Sequence, residues 1–155
     1  MRKSFIALLL FAGAILPAVA QTAPAKPDAM AIAQALSAKV ADAIEKQDAA
    51  AWAGTAVPDV TILPVASPLA PSGIVHGRAA AEKMFAGMFK MGVKHVDIKI
   101  LEAHFLSPSS LWWAGTIHFS GGMDIYARIG IVAVKSKGTW GSRLVVLSPN
   151  PAPTA

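Results

Sequence analysis

The sequence predicts an α+β domain in which N-terminal helices pack against a curved antiparallel sheet that wraps into a cone. Three observations carry this. Apolar residues recur at helical spacing in the first half of the chain. From Val93 onward the period changes to two, through four long strand-like runs separated by turns rich in Ser, Gly and Pro. Helices that come first and a meander that follows form the α+β order, not the alternating order of a parallel sheet.

The chain of 155 residues opens on a targeting segment. Met1-Arg2-Lys3 is basic, Phe5 to Leu16 is a nearly unbroken apolar run, and Ala18-Val19-Ala20 precedes Gln21. This is the layout of a secretory signal peptide with an A-x-A cleavage site. The run is shorter than the roughly 20 residues a spanning helix needs. Residues 1–20 are therefore expected to be removed and the protein exported, periplasmic or secreted, with no membrane association afterwards. Residues 21–27 read as a Pro/Ala linker, 28–148 as one domain and 149–155 as a flexible tail. The chain has no cysteine, which excludes disulfides, a thiol nucleophile, thiolate metal sites and a lipoprotein anchor. Two of the five net positive charges, Arg2 and Lys3, leave with the signal. The remaining lysines are scattered, so no nucleic-acid stripe forms.

Asp28 to Gln47 reads as a helix capped by Asp28, with Ile32, Leu36, Val40 and Ile44 every four residues. Ala49 to Ala53 adds a short turn carrying Trp52. Val57 to Pro64 reads as a strand whose two prolines suit an edge or a strand end. After a Pro/Ser/Gly loop comes a brief extended Ile74-Val75-His76. Gly77 then leads into a helix from Arg78 to about Lys90, with Ala81, Met84, Phe85, Met88 and Phe89 as its buried stripe. The phase of the next strand slips at Ile100-Leu101, which predicts a β-bulge and a bend. Leu111 to Ser120, Met123 to Lys135 and Thr139 to Leu147 complete the sheet, with Gly121-Gly122 as a hairpin turn.

Taken together these residues resemble a known family. The helix ending near Trp52, then Pro58-Asp59-Val60-Thr61-Ile62-Leu63-Pro64, a loop, and Gly77-Arg78-Ala79-Ala80 opening a helix are similar to the nuclear transport factor 2-like superfamily. The nearer resemblance is to its SnoaL-like, ketosteroid-isomerase-like branch. The strands agree: Leu111-Trp112-Trp113-Ala114-Gly115-Thr116, then Tyr126 to Val134, then Lys137-Gly138-Thr139-Trp140 before a last apolar run. The resemblance covers residues 28 to 148. It implies a cone with an apolar pocket at its open end, and frequent homodimers through the outer sheet face. Members include isomerases, cyclases, dehydratases and hydrolases, several of which use an Asp or Glu base with Tyr or Asp donors. Few carboxylates fall on the strands of this chain.

Candidate chemistry rests on a few residues. Thr116 and His118 share one strand face, and Trp113, Ile117 and Phe119 the other. With the polar face turned into the cone, His118 is a general base suited to neutral pH. Asp124, Tyr126 and Arg128 share a face of the next strand. Asp124 can orient the imidazole, Tyr126 can donate to an oxyanion, and Arg128 can hold an anionic group. On a solvated face the same residues contribute little. Trp52, Met84, Met88 and Trp113 are candidate walls of an apolar ligand pocket, and equally core. Trp112 and Trp113 must face opposite ways, and an exposed Trp there suggests a dimer interface. His76 suits a strand end, Asp59 a turn or cap, and His95 and His104 a solvated strand. No metal motif, phosphate loop or nucleophile elbow is present, so no cofactor is expected. The expected function is an exported, small-molecule-binding SnoaL-like domain. Its ligand is apolar or amphipathic, with proton-transfer catalysis by His118, Tyr126 and Asp124. The alternative is a non-catalytic dimerisation or partner-docking module.

Overall fold

The computed structural model of the chain describes residues 28–65 and 69–150. The expected signal peptide and linker, and the tail from residue 151, lie outside the described residues.

Helix α1 (Ala29–Glu45) is capped by Asp28, whose carboxylate accepts from the Met30 amide at 3.0 Å. Its buried stripe is Ala29, Ala33, Leu36, Ser37, Ala43 and Ile44. Small residues on that stripe let the helix lie close to the sheet. Gln47 then takes a positive φ of 55°. Its side-chain amide donates to the carbonyls of Ile44 at 2.8 Å and Val93 at 2.9 Å, tying the end of α1 to the sheet. Helix α2 (Ala49–Gly54) is capped by Asp48, which accepts from the Ala51 amide at 2.8 Å, and it carries Trp52 into the core.

Strand β1 (Ala56–Leu63) leads through a loop to the two-residue β2 (Val75–His76) and to helix α3 (Arg78–Lys90). The Arg78 guanidinium donates back to the Ala56 carbonyl, fixing the start of α3 on β1. Four long strands follow: β3 (Val93–Ser107), β4 (Ser110–Gly121), β5 (Ile125–Ser136) and β6 (Thr139–Pro149). The six strands form one sheet in the order β2-β1-β6-β5-β4-β3. The four long strands are an antiparallel meander, whereas β1 runs parallel to β6.

Three features bend the sheet. The β3–β4 register shifts between Ile100 and Glu102, at the phase slip read from the sequence. The β5–β6 register shifts as well, with Val132 opposite Leu144 and Ala133 opposite Ser142, so that Arg143 is the extra residue. The β1–β6 pairing is interrupted between Ala56 and Thr61, which is where Pro58 sits. An amide-free proline is tolerated there although β1 is an interior strand, flanked by β2 and β6. The sheet curls over α1, α2 and α3 and remains unclosed. Its concave face buries Leu111, Trp113, Ile117, Phe119, Ala127, Ile129, Ile131 and Ala133 against the helices. Among the described residues no helix is long and apolar enough to cross a membrane.

Candidate functional site

Between the concave face and the helices lies a cavity of about 90 Å³. Alpha-helical residues Leu36, Ser37 and Val40 close one side, and Met84, Phe85 and Met88 of α3 close another. Trp52 of α2 stacks on Phe85, with ring centroids 3.4 Å apart and planes 19° from parallel. Phe85 in turn meets Phe119 edge-on at 6.4 Å. Trp113, 1% exposed, forms the sheet side with Ile117 and Ile129. Half-buried Val65, Leu69, Met91 and Met123 also line it. The structure thus brings together four of the residues singled out for ligand binding: Trp52, Met84, Met88 and Trp113.

No described side chain on the cavity wall is ionisable. Its polar groups are hydroxyls of Ser37, Thr55 and Ser142 and the two indole N–H groups. The Thr55 hydroxyl is occupied, donating to the Trp52 carbonyl at 2.7 Å. Ser37 Oγ, Trp52 Nε1 and Trp113 Nε1 are buried with no hydrogen-bond partner among the described residues.

The structure places His118, Tyr126 and Arg128 elsewhere, on the outer face of the sheet. Strand alternation dictates this once Trp113, Ile117 and Phe119 face inward. The sequence left open which face turns inward; the polar one turns out, and His118 and Arg128 stand outside the apolar cavity. Arg128 is exposed. His118 and Tyr126 are directly opposite one another in the β4–β5 register, and their rings stack at 3.9 Å and 7°. Asp124 lies in the turn before β5, and its Oδ1 is 3.0 Å from His118 Nε2. Asp97 of β3 approaches the other ring nitrogen at 4.0 Å. Lys99, Thr116 and Asn150 complete a shallow outer depression around this cluster. The His118 side chain is 25% exposed, and Asp124 and Asp97 are largely exposed, so water screens their charges.

The remaining candidates have structural partners. Asp59 pairs with Arg143 at 3.0 Å across β1 and β6. His76 Nδ1 lies 3.1 Å from the Thr61 hydroxyl. His104 stacks on the outward Trp112 at 5.3 Å. Among the described residues no group of three His, Cys, Asp or Glu side chains is placed to hold a metal ion.

Solved structures share this arrangement of helices and sheet. A ketosteroid isomerase-like protein from Erwinia carotovora is 15% identical, with a TM-score of 0.65 over 82% of this chain and 100% of that one. A nuclear transport factor 2-like protein of unknown function from Shewanella oneidensis is 11% identical, with a TM-score of 0.66 over 77% of this chain and 98% of that one. A third, from Pseudomonas putida and also of unknown function, is 10% identical with a TM-score of 0.62, over 76% and 84%. The fold is nuclear transport factor 2-like. No family model and no curated protein matches the chain.

Within this nuclear transport factor 2-like cone, sequence reasoning missed Ser37, Ser142, Met91 and Met123 as wall residues. Ser37 had a readable signal, a hydroxyl set on the apolar stripe of α1. Ser142 had none, because the bulge at Arg143 turns it inward against simple alternation.

Proposed function

We propose that this protein binds an uncharged, largely apolar small molecule inside the cone. The observation that carries the reading is the cavity of about 90 Å³ with no ionisable described side chain on its wall. Ala66-Ser67-Pro68, the stretch between Val65 and Leu69, adds no ionisable residue type either. Apolar cavities of about 150 Å³ stay dry and bind a benzene ring, so the space of about 90 Å³ here takes a ring of that size when the flexible Met side chains of its wall give way. Soft Met side chains beside stacked rings adapt to flat apolar shapes. Export through residues 1–20 belongs to the same proposal, since it exposes the cone to molecules outside the cytoplasm.

Native mass spectrometry of protein purified from its own host tests the reading together with calorimetric titration of toluene. A co-purifying small molecule, or saturable toluene binding abolished by filling the wall with Met88→Trp, is the expected result. A bare mass together with no saturable binding overturns it.

A second reading is a homodimer through the outer sheet face. It is favoured by the outward apolar row Trp112, Val132, Leu144 and Val146, with Val146 37% exposed. Sedimentation velocity decides it: a dimer converted to monomer by Val146→Glu supports it, and a monomer at all concentrations removes it. Proton transfer through His118, Asp124 and Tyr126 is a proposal for the outer depression alone, resting on the 3.0 Å His118–Asp124 contact. There, His118→Ala abolishes isomerase-type turnover without altering cavity binding. Turnover that survives the change removes His118 from the chemistry.

A further inference from the structure

The sheet ends on one side in the two-residue β2 and on the other in β3, which is 15 residues long and has no outer neighbour among the described residues. An edge of that length offers a row of unpaired backbone groups to another strand. Helix α1 leaves it open, with a groove between Ala38 and Ala41 of the helix and Ile98, Lys99 and Ile100 of the strand. The core is also thin along this rim. Ile98, Ala103 and Phe105 share the concave face with the buried Ile117, Trp113 and Leu111 opposite them, yet are only half-buried themselves. Leu101 and Leu106 are 60% and 59% exposed. Asp97, Lys99, Glu102 and His104 stand on the outer face, since their partners on β4 are His118, Thr116, Ala114 and Trp112.

We propose that β3 pairs with β3 of a second copy of this chain, antiparallel about a two-fold axis between Ile100 and Leu101, joining two sheets into one. In that register Lys99 meets the partner's Glu102 and Asp97 meets the partner's His104, and the symmetry makes each contact twice. Opposite charges set directly across a strand pair stabilise it, and like charges oppose it. Sliding by two residues loses the match. In one direction Asp97 meets the partner's Glu102; in the other Lys99 meets the partner's His104. The bulge is what permits the pairing. Leu101 is the extra residue there, so odd positions face outward before it and even positions after it. In a regular strand this register would set outward side chains against inward ones. With the slip, Ile98 meets the partner's Ala103 and Val96 meets the partner's Phe105 on the concave face, and each copy covers the thin rim of the other's core. A lysine on an edge blunts it against any strand. Opposite signs at matched spacing blunt it against strangers and admit a copy of itself. The interface runs along the rim of the sheet, and Val146 of the outer face takes no part in it.

Sedimentation velocity and cysteine cross-linking of the intact protein test this. A dimer is expected. Lys99→Glu weakens it about tenfold, and adding Glu102→Lys restores it, because the swap rebuilds the same pairs in reverse. Both side chains are exposed, and circular dichroism checks that each variant keeps its fold. The chain has no cysteine, so Leu101→Cys adds a single thiol. Beside the two-fold axis it lies within the ~4.4–6.8 Å between Cα atoms that a disulfide spans. Leu101→Cys is expected to form a disulfide-linked dimer faster than Ile74→Cys, a comparably exposed position (55%) next to the opposite edge. A monomer at every concentration overturns the pairing. So does a dimer that Lys99→Glu leaves intact or that the swap fails to restore, and so does cross-linking by Leu101→Cys no faster than by Ile74→Cys. A dimer that Val146→Glu dissociates and Lys99→Glu does not is joined through the outer face, and it too overturns the edge pairing.

Discussion

Gly115 lies opposite Ile100, at the point where β3 bulges. A Cβ built there collides with the backbone carbonyl of Lys99, which cannot swing away as a side chain would. Gly115→Ala is therefore expected to destabilise the fold by about 1–3 kcal/mol, the usual cost of overpacking. A urea midpoint unchanged at constant slope would show that the strands part without penalty. The bulge itself was readable as a slip in alternation at Ile100-Leu101. The glycine that accommodates it was not, because its partner lies across the sheet and not along the chain. The division of Thr116 and His118 from Trp113, Ile117 and Phe119 was readable for the same local reason. Which set faces inward is a question of energy. Burying a large apolar side chain contributes roughly 1.5–3 kcal/mol, so the aromatic and branched set takes the interior and the histidine goes outside.

Helix α2 has six residues and cannot hold its shape by propensity alone. It depends on the Asp48 cap and on Trp52 stacked against Phe85. Asp48→Ala is expected to cost about 1 kcal/mol, and Asp28→Ala at the head of α1 a similar amount. The two separate on binding: Asp48→Ala weakens the cavity's probe affinity more than Asp28→Ala, because α2 is a short helix that carries Trp52, whereas Asp28 lies about two turns from the first cavity residue of α1, Leu36. Equal loss in both variants, measured by calorimetry, would contradict this. Helix α1 and its Asp28 cap were legible, since side-chain caps and apolar periodicity are local, whereas α2 read only as a short turn carrying Trp52 and its Asp48 cap was not read. The interior position of β1 was not. The prolines at 58 and 64 read as an edge or a strand end; Pro64 does lie just past the end of β1, and only the interrupted β1–β6 register shows how an inner strand tolerates Pro58. The phase change in β6 was equally hidden, since one extra residue at Arg143 leaves no mark on a short apolar run.

Across the whole molecule the helix-first order and the long meander were enough to specify an α+β cone, and the fold found is of that kind. The cavity's position followed from the cone, and four of its wall residues from their apolar character. Its chemistry did not follow, because the alternation of the strands does not say which face turns inward. The consequence is testable: affinity for toluene is expected to be flat from pH 5 to 9, since no described wall group is ionisable. A tenfold change across that range would place an ionisable group against the ligand.

The methionines of the wall have a further consequence. Met84, Met88, Met91 and Met123 are four of the six in the chain, and three of them are only half-buried. A thioether that adapts to a ligand is also one that peroxide converts to a polar, chiral sulfoxide. Oxidation would place S=O dipoles around a space whose described wall is otherwise hydrocarbon apart from a few hydroxyls and indoles. A chemically aged molecule would thus lose the apolar character of its own cavity from within.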